Sequence, residues 1–193
     1  MKTLKKITLV ALMLGTLIGY ANEDKNTADN KAKRTVKVEF KNVKKGQTLT
    51  IKDNQGTAFY NSEIKNAGNY SRTFDFSALE DGIYSAELNK DFEIHIKEFY
   101  VKNGLVTFLN NNNEKVFKPV IRTKDNLLYV SKLDFNQEPL KVTIYYNDNV
   151  ILSETVEGKE HLKRVYKLSE NEVGNYKVII NTEDRTFVKD FTI

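Results

Sequence analysis

Arg72-Thr73-Phe74-Asp75-Phe76-Ser77 and Arg164-Val165-Tyr166-Lys167-Leu168-Ser169 stand 92 positions apart and share an arginine, an alternation of apolar residues and a closing serine. The offset then holds without a gap. Gly82-Ile83-Tyr84 falls on Gly174-Asn175-Tyr176, Lys97-Glu98-Phe99 on Lys189-Asp190-Phe191, and Val101 on Ile193. Self-similarity of this kind means one small architecture used twice in tandem, so reading either copy decides the fold.

Within each copy the apolar residues recur with period two, the mark of half-buried strands. Val36, Val38 and Phe40 alternate with Lys37, Glu39 and Lys41. Leu49 and Ile51, residues 58–64, Phe74 and Phe76, Tyr84, Ala86 and Leu88, and residues 92–101 continue the first set. The second set comprises Val142, Ile144 and Tyr146, residues 150–156, Tyr166 and Leu168, Tyr176, Val178 and Ile180, and residues 186–193. Asp53-Asn54-Gln55-Gly56 and Asn147-Asp148-Asn149 have the composition of turns. Lys102-Asn103-Gly104 predicts a hairpin leading into residues 105–109. Residues 116–121 and 127–133 are expected to pair across Lys124-Asp125-Asn126. Beyond the N-terminal segment, no stretch shows a period of 3.6 over ten residues. The fold class is all-β.

Three details recur in both copies. Gly-x-Tyr, at Gly82/Tyr84 and Gly174/Tyr176, matches the tyrosine that opens a late strand of immunoglobulin-like sandwiches and bonds back to nearby backbone. The core cysteine that would follow is replaced by Ala86 and Val178. These tyrosines are therefore read as tyrosine corners rather than as a ligand platform. Ser-x-x-Glu, at Ser77/Glu80 and Ser169/Glu172, fits a capping box and predicts a single helical turn before that strand. The last strand changes phase between Ile96 and Phe99, and between Val188 and Phe191. That slip predicts a β-bulge at Lys97-Glu98 and at Lys189-Asp190.

The N-terminus carries Lys2, Lys5 and Lys6 before an apolar run from Ile7 to Ile18, then Gly19-Tyr20-Ala21. This is the layout of a secretory signal peptide, and the polar Asn22-Glu23-Asp24 arrives too soon for a spanning helix. The chain has 30 Lys+Arg against 26 Asp+Glu, a net charge of +4. Removal of the three signal lysines leaves it close to neutral, so net charge gives no reason to expect nucleic acid as a partner. There are no cysteines. Disulfides, thiolate catalysis and Cys-ligated zinc are excluded, as is a lipid-modified cysteine anchor. Stability must come from packing, and 11 Phe and 10 Tyr are available for it. The expected organisation is a signal peptide (1–21), a polar leader (22–34), a first module (35–109), an asparagine-rich linker (110–115) and a second module (116–193).

No catalytic, cofactor-binding or metal-ligating residue is singled out. His95 is expected on the polar side of its strand and His161 in a charged loop. Asp53, Asn147 and Asp148 sit in turns that lack the several oxygen ligands calcium needs. No phosphate-binding loop, dinucleotide fingerprint or nucleophile elbow occurs. Arg72 and Arg164 are read as ion pairs within their modules in preference to anion contacts. The outward member of Tyr145-Tyr146, with Tyr60 or Tyr100, offers a possible sugar-stacking or protein-binding surface. A hydrolase would need two carboxylates brought together from distant strands.

Leu49-Thr50-Ile51-Lys52-Asp53-Asn54-Gln55-Gly56, followed by Phe74-Asp75-Phe76-Ser77-Ala78-Leu79-Glu80-Asp81-Gly82-Ile83-Tyr84, resembles the β-sandwich sorting modules at the C-termini of secreted Bacteroidota proteins. The second copy keeps Leu168-Ser169, Gly174 and Tyr176 of that pattern. The resemblance implies an immunoglobulin-like sandwich and passage into or through the periplasm. The end, Asp190-Phe191-Thr192-Ile193, lacks the basic terminal residue such signals often carry. The expectation is therefore a periplasmic or secreted, non-enzymatic protein of two tandem immunoglobulin-like sandwiches. It would bind an envelope or extracellular protein or glycan, or serve a structural role. A glycan-binding or secretion-system accessory role is the alternative, and a carboxylate-pair hydrolase a more distant one.

Overall fold

The computed structural model describes residues 34–109 and 114–193, and every regular element in them is a β-strand. The signal peptide, the leader up to residue 33 and the Asn110–Asn113 run lie outside the described residues.

Around the first core, β1 (Thr35–Val43) pairs with β4 (Gly68–Asp75). Facing them is a larger antiparallel sheet of β3 (Ala58–Glu63), β2 (Thr48–Asp53), β5 (Gly82–Asn89), β6 (Glu93–Lys102) and β7 (Leu105–Phe108), in that order. Val38, Phe40, Leu49, Ile51, Tyr84, Leu88, Phe99 and Val101 meet between the two layers. Around the second core, β13 (His161–Lys167), β10 (Leu127–Leu133) and β9 (Val120–Lys124) form one layer. The order β12 (Asn149–Val156), β11 (Leu140–Tyr146), β14 (Asn175–Thr182) and β15 (Arg185–Thr192) forms the other. Leu128, Val130, Leu140, Ile144, Tyr176 and Ile180 fill the space between them. This is the all-β, immunoglobulin-like sandwich architecture that the alternation implied.

The stretch expected to run unbroken from 116 to 121 is two strands. β8 (Glu114–Phe117) ends before Lys118-Pro119, and proline cannot donate to a ladder. β8 lies on the outer edge of β6, from Glu93↔Phe117 to Ile96↔Glu114, while only β9 pairs with β10.

The hairpin turns follow sequence chemistry. Asn103-Gly104, Asp125-Asn126 and Asn147-Asp148 all take positive φ, as two-residue hairpin loops require. Both tyrosine corners form. Tyr84 Oη donates to the Glu80 carbonyl at 3.0 Å and Tyr176 Oη to the Glu172 carbonyl at 2.8 Å.

The expected helical turns do not form. Phe76–Leu79 and Ser169–Glu172 close as single β-turns instead. Asp75 Oδ1 accepts from the Ser77 amide, and Ser169 Oγ accepts from the Asn171 amide two residues on. Each short side chain thereby satisfies a nearby amide, and a capping box is not needed.

The expected bulges are also absent. β5–β6 and β14–β15 pair in unbroken register through Lys97-Glu98 and Lys189-Asp190. The phase change in β6 has another cause: the strand is buried on opposite faces at its two ends. Phe99 and Val101 face the first core, while Ile94 and Ile96 face the other way, against Val116 and Phe187. In β15 the inward series is Phe187, Phe191 and Ile193, and Val188 points outward with 54% exposure.

Tyr176→Phe should cost about 1 kcal/mol, the net value of one intramolecular hydrogen bond. Tyr176→Ala should cost about 3–5 kcal/mol, because a fully buried ring leaves a cavity. Urea unfolding midpoints of the two variants check both values.

Candidate functional site

Strand alternation sends Lys52 of β2, Glu87 of β5 and Ile96 of β6 to the face of the first sheet turned away from its core. A solvent-facing sheet would leave them wet. Here the β14–β15 hairpin covers that face, and Glu87 is only 9% exposed. Arg185, at the start of β15, meets Glu87 with two bonds, Nη2 to Oε1 at 2.7 Å and Nη1 to Oε2 at 3.1 Å. Lys52 Nζ lies 3.1 Å from Glu87 Oε1. Burial by itself would raise the Glu87 carboxyl. The Arg185 hydrogen bonds and charge, with those of Lys52, outweigh that and hold it below the usual carboxylate range. Arg185 is correspondingly raised by its bonds to Glu87.

A second buried group lies behind this contact. β10 alternates Leu128, Val130 and Lys132 toward the second core, so a lysine occupies a core-phase position with its side chain fully buried. Lys132 Nζ donates to Glu183 Oε1 at 2.5 Å and lies 3.2 Å from Asp134 Oδ2. The Asp134 approach lacks hydrogen-bond geometry, and neither carboxylate oxygen finds a hydrogen-bond partner among the described residues. Glu183 and Asp184 form the β14–β15 turn at φ 51° and 55°, a conformation that non-glycine residues adopt at a cost. The Lys132 bond holds Glu183 there, and the turn in turn sets Arg185 opposite Glu87.

These groups border a cleft of about 420 Å³, lined in part by Glu87, Glu98, Glu114, Glu183 and Arg185. It is acidic, and both of its cations, Lys52 and Arg185, are paired with Glu87. Every carboxyl shift that is resolved runs downward: Glu39, Asp75, Glu87, Asp91 and Glu93.

The residues named from sequence are dispersed. His95 lies on the side of β6 opposite Ile94 and Ile96, between Glu93 and Lys97, as expected, and bonds Glu93 Oε1 at 2.5 Å. His161 opens β13 instead of lying in a loop. Asp53 Oδ1 accepts from the amides of Gln55 and Thr57, so its carboxylate stabilises its own turn. Asn147 Oδ1 accepts from the Asn175 amide, and Asp148 lies 3.5 Å from Lys177 Nζ. Arg164 pairs with Glu154 at 3.2 Å, as read from sequence. Arg72 instead bonds Tyr60 Oη at 2.5 Å and lies over the Tyr60 and Phe74 rings. Both arginines thus reach from the smaller sheet of their sandwich to an edge strand of the larger.

The tyrosine surface does not assemble. Tyr60, opposite Ile51, packs edge-on to Phe74 on the core side. Tyr100, opposite Ile83, lies on the other face of the same sheet. Tyr146 packs against Tyr176, which leaves Tyr145 as the outward member of its pair. Lys132, Glu183 and the Glu87–Arg185 pair were missed by sequence reasoning. A lysine in the core phase of β10 and a Glu-Asp turn without glycine were the available signals.

Residues 30–102 match the family described as secretion system C-terminal sorting domain. The match spans the first sandwich as far as the last residue of β6 and bears out the resemblance drawn from the Asp53–Gly56 and Phe74–Tyr84 motifs. No curated protein matches the chain. Among the described residues, no helix is long and apolar enough to cross a membrane.

Glu87→Gln should lower stability at neutral pH, by about 2–5 kcal/mol for loss of a largely buried charge pair. A carboxyl held low in the folded state stabilises above the ordinary carboxylate range, and that contribution disappears as pH falls through its depressed value. The gap between Glu87→Gln and the parent should therefore close as pH drops below about 4. Urea midpoints measured across that range check the sign.

Lys132→Met should be strongly destabilising, by about 3–5 kcal/mol, because it strands the buried Asp134 carboxylate. The double variant Lys132→Met/Asp134→Leu should recover the part of the loss due to Asp134, while the part due to Glu183 remains. A double-mutant cycle by thermal or urea unfolding gives the coupling.

Proposed function

We propose that this chain is an exported, non-enzymatic β-sandwich protein that binds a protein or glycan at the cell envelope or outside the cell. The observation that carries the export half is the match of residues 30–102 to a secretion-system sorting domain. The Met1–Ala21 segment, read as a signal peptide, agrees with it. The repeat and the two separate cores support reading the chain as two tandem modules.

The binding half draws support from how the polar residues are used. Glu87, Arg185, Lys132 and Glu183 are committed to holding the two sandwiches together and the hairpin in shape. The resolved carboxyl shifts favour ionised groups suited to ion pairing. The exposed apolar side chains Phe92, Phe135 and Leu133 offer contact surface near the junction. A second reading, in which the first sandwich is itself the element recognised by a secretion machinery, is favoured by the match ending at Lys102.

The test has two arms. The full chain and a variant lacking residues 1–21 are expressed in a host carrying such a secretion system, and the fractions are blotted. The full chain should be exported and the variant retained; equal retention of both removes the export reading. Residues 22–193 are then immobilised and exposed to envelope and supernatant extracts. Specific retention of a protein or glycan is expected. Failure to retain anything, together with turnover of a glycan or peptide panel by the purified protein, would replace this reading with an enzymatic one.

A further inference from the structure

The repeat allows one half of the molecule to be compared with the other, and the comparison exposes an edge. β6 and β15 are counterparts: Glu93–Ile96 corresponds to Arg185–Val188 at the common offset of 92. On one side each strand pairs with its own counterpart neighbour, β6 with β5 and β15 with β14. On the other side they differ. β6 is covered by β8 over Glu93–Ile96 and by β7 over Phe99–Lys102. β15 pairs only with β14 among the described residues.

The segment of β15 that corresponds to the β8 site borders a groove. Thr186, Phe187, Val188 and Lys189 form one wall of a cleft of about 460 Å³, and Asp91, Phe92 and residues 118–121 form the other. Four consecutive residues of a strand can line one wall only along its backbone edge, because their side chains alternate between faces.

We propose that the free edge of β15 at Arg185–Val188 is a docking site for an extended peptide segment of a partner protein, added antiparallel as a fifth strand. An unpaired row of amides and carbonyls is a template for strand addition, with main-chain bonds giving affinity and alternate side chains giving selectivity. The covering strand in the other copy, Glu114-Lys115-Val116-Phe117, shows the sequence type that this edge geometry accepts. Lys189 stands at the end of the exposed segment, and across the groove lie Lys118 and Asp91, the latter paired with Lys44, so the segment should carry an acidic residue opposite Lys189. The counterpart edge of β6 is covered by one short segment, β8, so a lone extended strand is the occupant assigned to β15. The inference deepens the binding role proposed above and rests on it for its biological use.

The probe is a capped peptide of the sequence Glu114–Phe117 preceded by one aspartate, titrated to millimolar concentration into isotopically labelled residues 22–193. The expected result is saturable shifts and slowed hydrogen exchange at the amides of residues 185–189. The same peptide N-methylated along its backbone should give neither. Equal binding of the N-methylated peptide would show a side-chain groove and overturn the strand-addition mode. Changes confined to residues 93–96 would show competition with β8 and overturn the assignment to β15, as would the absence of any change. Protection of residues 185–189 without peptide, together with a dimer in sedimentation, would make a second copy the occupant and overturn the partner proposed. Retention of an extract partner despite a silent β15 edge would sink the edge alone and leave the binding role standing.

Discussion

The bidentate bond between Arg185 and Glu87 is the contact on which the arrangement of the two sandwiches depends. It lets a polar sheet face leave water without stranding a charge. A carboxylate buried beneath another element is costly unless its partner is well placed and its lone pairs are used. Arg185 supplies two donors in a fixed fork, and Lys52 supplies a third contact from a neighbouring strand. With the charge satisfied, Ile94, Ile96, Val116 and Phe187 can close into a small apolar cluster beside it.

The same contact explains why the β14–β15 turn has unusual chemistry. A glycine or asparagine would enter the left-handed region at less cost. Glu183 occupies it because its carboxylate reaches the buried Lys132 ammonium, which also faces Asp134. One ionic chain thus runs from Lys52 through Glu87 and Arg185 to the Glu183 turn and Lys132. These ionic groups fix a turn and join the two halves where they meet.

The two halves differ in how their corresponding strand edges are covered. In the first copy, the chain after β6 turns at Asn103-Gly104 and returns as β7, and β8 then takes the other end of the strand. In the second copy the corresponding edge keeps its unpaired backbone groups among the described residues, and an inward lysine, Lys189, marks its middle. Inward charges on edge strands discourage indiscriminate pairing. An edge with that protection, bordered by Phe92, is selective in what it can accept.

The sequence by itself determined the all-β class, most of the strand positions, the hairpin turns at Asn103-Gly104 and Asp125-Asn126, and both tyrosine corners. These are local: alternation, turn chemistry and a hydroxyl reaching four residues back all act within a few positions. It determined the sorting-domain likeness of the first copy for the same reason, since that motif is a string of strand and turn residues. It misread the phase change in β6 as a bulge, because a strand buried on two faces and a bulged strand leave the same trace in one dimension. It singled out neither Glu87 nor Lys132. Only the tertiary structure decided those, because the burial of Glu87 depends on Arg185, 98 residues away, and no local pattern records which face a distant hairpin will cover.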